Sequence, residues 1–209
     1  MILIGLVASL AIASEAAAET KIVDTTVVAL DGLPSDLEID SAGNLAYLSF
    51  RDQDKIIVVD LSVGMVVAEH FMPKPVGLSL SADGTYLYVA LYESTSIARV
   101  TLSDWSSTTV VLAELGDPRT YDVAEVAPGV VLVTADPYSS GSAHVVRYNF
   151  ATAAEDVVAG GGVIRAHPRI FVDDDRRYAY IGEAFSPASL YKIDLSSTNM
   201  DIVAEDDHG

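Results

Sequence analysis

The sequence predicts an all-β fold assembled from four-stranded antiparallel sheets, and two observations carry this. First, alternating apolar and polar residues come in pairs around tight turns. In "PVGLSLSADGTYLYVA" (75–90), Val76, Leu78 and Leu80 alternate with Gly77, Ser79 and Ser81. The Asp83-Gly84 turn follows, and Tyr86, Tyr88 and Ala90 then alternate with Leu87, Val89 and Leu91. Period-2 patterning around a Gly-containing turn is a β-hairpin signal. Second, the same unit recurs. The second-strand landmarks Tyr47, Tyr88, Leu132 and Tyr180 are 41, 44 and 48 residues apart. The third-strand landmarks Asp60, Thr101, Asn149 and Asp194 step by 41, 48 and 45 residues. A four-stranded unit repeated every 40 to 50 residues or so is the signature of a β-propeller. Stacked blades bury both sheet faces, which accounts for runs such as "IIVVDL" that are apolar at consecutive positions.

Taken in order, residues 1–18 read as a signal peptide. An apolar run from Ile2 to Ala13 leads into the small residues Ala16-Ala17-Ala18. The run is too short for a membrane span, and no Lys or Arg precedes Lys21. The remainder, 19–209, is the blade region, and the expectation is a secreted or periplasmic protein. "KIVDTTVVAL" (21–30) is an isolated strand. Four repeats follow, at about 33–72, 74–115, 116–161 and 162–206, each with four short strands and almost no helix. In the last repeat, "VDDDRRYAY" aligns with the first hairpin turn. Three consecutive Asp lack the alternate spacing of a calcium loop, so Arg176 and Arg177 are expected to be counter-charges to Asp173, Asp174 and Asp175. "GGG" (160–162) reads as a flexible connection and "SSGSAH" (139–144) as an inserted loop.

Composition narrows the function. The chain has 209 residues and a net charge of −18. Nucleic acid and anionic membrane surfaces repel so acidic a partner. There is no cysteine, which excludes disulfides and thiolate metal sites. His70, His144, His167 and His208 share no short metal-ligand spacing, and no cofactor or metal motif is present.

The stretch "PVGLSLSADGTYLYVA" followed by "STSIARV" resembles the YVTN-type β-propeller repeat, named for Tyr-Val-Thr-Asn on the second strand. Here the tetrapeptide reads Tyr88-Val89-Ala90-Leu91, with Tyr47-Leu48-Ser49-Phe50, Leu132-Val133-Thr134-Ala135 and Tyr180-Ile181-Gly182-Glu183 in the other repeats. The resemblance covers roughly 33–205 and implies a lactonase-like or surface-layer-like propeller. Such propellers usually have about seven blades. Four repeats therefore suggest an incomplete arc, or a fragment of a larger propeller, rather than a closed four-bladed ring. An open arc leaves apolar blade faces that invite self-association.

In a propeller, the fourth-to-first and second-to-third strand connections surround one mouth of the channel, the usual ligand face. Of 12 basic residues, five (Arg51, Lys74, Arg119, Arg165 and Arg169) fall near that face. Together with Tyr121 they form the candidate ligand-binding set, suited to a small anionic molecule or to a protein or peptide partner. The plain alternative is pairing with neighbouring acids. Candidates for a general base are His167, Asp122 and Glu183, each equally readable as an ordinary loop or strand residue. Trp105 and the tyrosines fit core positions. Three functions stay open: a binding or scaffold propeller, a lactonase-like propeller hydrolase, and a purely structural cell-surface repeat protein.

Overall fold

A computed structural model describes residues 27–115, 119–136, 143–164, 167–183, 189–196, 200 and 202–207. Among the described residues, sixteen strands form four separate four-stranded meanders, each pairing in chain order and antiparallel throughout. Blade 1 holds β1 (Asp36–Asp40), β2 (Leu45–Phe50), β3 (Lys55–Asp60) and β4 (Met65–Phe71). Blade 2 holds β5 (Pro75–Leu80), β6 (Tyr86–Leu91), β7 (Ser96–Thr101) and β8 (Ser107–Val111). Blade 3 holds β9 (Arg119–Ala127), β10 (Val130–Asp136), β11 (Ala143–Asn149) and β12 (Ala154–Ile164). Blade 4 holds β13 (Arg169–Val172), β14 (Tyr178–Gly182), β15 (Ser189–Asp194) and β16 (Ile202–Asp207). The only helical element among the described residues is a single 3₁₀ turn, Arg51–Gln53, so none of their helices could cross a membrane.

The turns follow from side-chain chemistry. Asp83 Oδ1 accepts the Thr85 amide at 2.9 Å and the Ser81 hydroxyl at 2.7 Å, while Gly84 supplies φ +68°. The third-strand landmarks have the same role one turn later. Asp60, Asn149 and Asp194 each accept the amide two residues on, at 2.8 Å. In blade 2 this task falls to Asp104, which accepts the Ser106 amide at 2.9 Å.

Adjacent residues on one strand serve different blade interfaces. Leu87 and Val89 join Tyr47, Ile56 and Val58 between blades 1 and 2. Tyr88 and Ala90 join Val131, Val133 and Val146 between blades 2 and 3. Leu132 and Val145 join Ile170, Ala179, Ile181 and Ile193 between blades 3 and 4. No such cluster joins blade 4 to blade 1 among the described residues. The outward apolar face of blade 1 (Ala46, Leu48, Phe50, Ile57 and Val59) packs instead against Val28 and Leu30. The sheets thus form an unclosed propeller arc.

Several local expectations change. Residues 27–30 are in no strand, because Val28 and Leu30 pack on a blade face rather than pairing at an edge; 21–26 lie outside the described residues, as do 1–18. The glycines 160–162 lie within β12, which runs on to Ile164 past the expected repeat boundary. Its register against β11 shifts near Ala143 and Val145, the irregularity that glycine tolerates in a strand. Ala143 and His144 begin β11 rather than ending a loop. Arg176 is not a counter-charge to its own turn: its Nη1 lies 2.9 Å from Glu125 Oε2 of blade 3. Asp173 instead accepts the Arg177 and Tyr178 amides at 2.7 and 2.9 Å.

Candidate functional site

The four innermost strands surround a cavity of about 610 Å³ lined by residues of every blade, among them Glu38, Ser79, Asp122, Glu125, Arg169 and Phe171. Its mouth is built on one repeat position. Asp36 faces Ser49 across β1 and β2, Asp122 faces Thr134 across β9 and β10, and Arg169 faces Gly182 across β13 and β14. In blade 2 the corresponding residue is Gly77.

Each of these four residues meets the following blade. Asp36 Oδ2 accepts the Leu78 amide at 2.7 Å, and Asp122 Oδ2 accepts the Ile170 amide at 2.9 Å. A Cβ on Gly77 would lie 2.6 Å from the Asp122 Cα, so only glycine permits the approach there. Arg169 Nη2 donates to the Ser35 carbonyl at 3.0 Å, reaching from the fourth blade back to the first. The facing hydroxyls add to the pattern, Ser49 Oγ donating to the Val76 carbonyl at 2.7 Å and Thr134 Oγ1 to that of Pro168 at 2.9 Å. Between blades 2 and 3 Thr120 Oγ1 donates to the Ser96 carbonyl at 3.1 Å, so polar contacts link the mouth all the way round, although among the described residues no apolar cluster joins blades 4 and 1.

Charge at the mouth is shared unequally. Arg169 Nη1 lies 3.6 Å from Asp36 Oδ2 and 3.7 Å from Asp122 Oδ1, one cation between two carboxylates. Burial raises the Asp122 pKa to about 7 and the charge of Asp36 adds to this, against the opposing pull of Arg169 and the Ile170 and Val123 amides. Burial and the charges of Asp36 and Asp122 likewise raise Glu38 to about 7. Asp36 is raised by burial, opposed by the Leu78 amide and Arg169.

Around this mouth lies a stacked array of arginine and aromatic rings. The guanidinium carbons of Arg51 and Arg119 lie 4.9 and 4.8 Å from the centre of the Tyr92 ring. Tyr92 meets Tyr121 edge-on at 6.5 Å, Tyr121 meets His167 edge-on at 5.1 Å, and Arg169 lies 5.0 Å over Tyr121. Five of the candidates named from the sequence, Arg51, Arg119, Tyr121, His167 and Arg169, thus form one array from three blades. Tyr92, the residue that joins them, was missed. Its signal was its place in the β6–β7 turn, directly after the tetrapeptide Tyr88–Leu91, although its half-buried ring also packs against the apolar cluster between blades 2 and 3.

The remaining candidates fall elsewhere. Lys74 belongs to a separate pair: its amide donates to Asp54 Oδ1 at 3.0 Å and its Nζ lies 3.8 Å from the same oxygen. Glu183 is buried at the end of β14. Arg165 lies outside the described residues. At the other end of the cavity, Glu125 is buried and fully engaged. It accepts from the Ala82 amide at 2.8 Å, the Tyr88 hydroxyl at 3.1 Å, the Gly129 amide at 3.2 Å and Arg176.

No family model matches this chain, and no curated protein sequence matches it. Solved structures do. Hydrazine synthase of Kuenenia stuttgartiensis superposes with a TM-score of 0.68 at 14% identity, over 82% of this chain and 48% of that one. The Cps50 (Swd1) β-propeller domain from Myceliophteria thermophila gives 0.62 at 14% identity, over 87% and 57%. The dihydro-heme d1 dehydrogenase NirN gives 0.61 at 19% identity, over 87% and 41%. At these identities the likeness is one of fold. The chain spans about half the length of each of these three structures.

Proposed function

We propose that this chain is a propeller-type binding domain that takes an anionic group, borne by a small molecule or a peptide, on its channel-mouth face. The observation that supports this is the Tyr92 ring flanked by guanidiniums of blades 1 and 3. In a chain of net charge −18, three of the 12 basic residues, Arg51, Arg119 and Arg169, meet there, and the array is held by ring stacking before any ligand arrives. The pair Arg51–Asp52, at 3.1 Å, is largely exposed, so water screens it and an incoming carboxylate can compete. Arg169 is engaged by Asp36, Asp122 and Ser35, and its role in this reading is to hold the mouth together. Export to a secreted or periplasmic location, and kinship with YVTN-type propellers, belong to the same proposal.

A lactonase-like hydrolase would need a base with an accessible lone pair. Asp122 Oδ1 accepts the Val123 amide and Oδ2 the Ile170 amide, each at 2.9 Å, which favours a structural role for it.

Titration with acetate, citrate and inorganic phosphate tests the binding reading. Salt-sensitive binding is expected, weakened by about 1–3 kcal/mol in Arg119→Ala, as for a lost charged hydrogen bond. Tyr92→Ala, which removes the ring that stacks both guanidiniums, should weaken it as well. Binding unchanged in both variants would refute the site.

A further inference from the structure

We infer that the anion site is proton-linked: Glu38, in the channel below the mouth, takes up a proton from solvent as an anion settles on the arginine–tyrosine array. The inference rests on the binding function proposed above and adds the regulation of that site.

Charge at this end of the cavity does not balance. Three carboxylates, Asp36 and Glu38 of β1 and Asp122 of β9, line it together with one cation, Arg169 of β13. Arg169 Nη1 stands 3.6 Å from Asp36 and 3.7 Å from Asp122. Those two acids also accept backbone amides, Asp36 from Leu78 and Asp122 from Val123 and Ile170. Glu38 is different. Burial and the two neighbouring acids act on it, and among the described residues no cation or hydrogen-bond donor offsets them. The remaining inner strand, β5, carries no charged side chain. An uncompensated charge in a half-buried place is costly, and a carboxylate there holds a proton instead. The rise of Glu38 to about 7 agrees with this. Of the three acids it is the one whose charged form nothing stabilises, so it is the proton carrier.

Arg169 joins this group to the anion site. Its guanidinium lies 5.0 Å over the Tyr121 ring of the array, while its Nη1 faces the two carboxylates. An anion on the array adds negative charge beside a group that already has an excess, and one proton relieves the repulsion. Linkage makes the effect reciprocal: protonated Glu38 strengthens anion binding by the factor by which the anion strengthens proton binding. The other acids of the cavity are settled, Glu125 by Arg176 and Asp173 by the amides of its own turn, while Asp174 is exposed to water. In the array, Arg51 pairs with the exposed Asp52. Two rival proton carriers remain. His167 meets Tyr121 edge-on, and histidine is a residue type that titrates near neutrality. Glu183 is buried one residue past Gly182, which faces Arg169.

Calorimetric titration of the full chain with sulfate, at fixed ionic strength, tests this. Sulfate keeps its charge across the range, and pairs of buffers that differ in ionisation enthalpy count the protons taken up. Affinity should be roughly three- to tenfold higher at about pH 6 than at about pH 8, with proton uptake greatest near pH 7. Glu38→Gln should bind sulfate more tightly than the parent at about pH 8 and lose most of the uptake, whereas a merely structural role would weaken binding at every pH alike. His167→Gln and Glu183→Gln should keep most of the uptake. Equal affinity at both pH values, uptake unchanged in Glu38→Gln, or uptake lost in either of the other variants would overturn the linkage and leave the binding function standing. Sulfate bound at neither pH would refute the binding function and the linkage with it.

Discussion

At the scale of single residues, the channel carboxylates give the protein an unusual dependence on pH. Most carboxylates whose pKa is perturbed here are lowered by turn hydrogen bonds, as at Asp60, Asp83, Asp104 and Asp194. Glu38 and Asp122 go the other way, each raised to about 7. The folded chain then holds protons that the unfolded chain releases above about pH 4, so stability falls as pH rises through about 7. The lowered turn residues contribute in the opposite sense, and their stabilisation is lost as pH falls below the ordinary carboxylate range. Thermal melts should therefore show greatest stability at mildly acidic pH, a decline toward about pH 7 and a levelling above it. Glu38→Gln, which keeps the shape and removes the titration, should flatten part of that decline. An unchanged slope in the variant would show that Glu38 ionises freely in the fold.

Elements in this protein are defined by what passes between blades. A middle strand here buries both faces, so its propensity and its alternation say that it is a strand but not which neighbour each residue meets. Tyr88 shows the coupling: its ring packs between blades 2 and 3, while its hydroxyl donates to Glu125, which also takes Arg176 of blade 4. Gly77 shows it with a sharper consequence. Sequence reading takes it as the polar partner in an alternating strand, but its missing side chain is what lets β5 lie against the Asp122 backbone. Gly77→Ala should cost about 1–3 kcal/mol by forcing β5 and β9 apart. It should also disturb Asp122 and the channel mouth, visible as weakened anion binding. A denaturant midpoint equal to that of the parent would show that the interface yields without cost.

On the scale of the whole molecule, four blades make an arc whose polar mouth is continuous and whose apolar faces are not. Arg169 makes the difference. It occupies the repeat position that holds Asp in blades 1 and 3, and it reaches Ser35 and Asp36 where the packed core stops. N-terminal sequencing of protein recovered outside the cytoplasm is expected to begin close to Glu19; recovery in the cytoplasm with Met1 intact would contradict export. The blades were legible in the sequence because strand alternation and turn chemistry are local: Asp60, Asn149 and Asp194 each bond two residues along the chain and recur at blade spacing. Clustering of Arg51, Arg119, Tyr121 and His167 on one face was legible as well, since topology alone assigns loops to faces. What only the tertiary structure decided is which charges meet. Arg169 lies between Asp36 and Asp122, Arg176 crosses to Glu125, and Tyr92 stacks two arginines from other blades. Such pairings join residues some 27 to 134 positions apart, and they depend on how one blade is rotated against the next. That rotation is set by packing of apolar side chains across the interfaces, information that no stretch of one blade contains by itself.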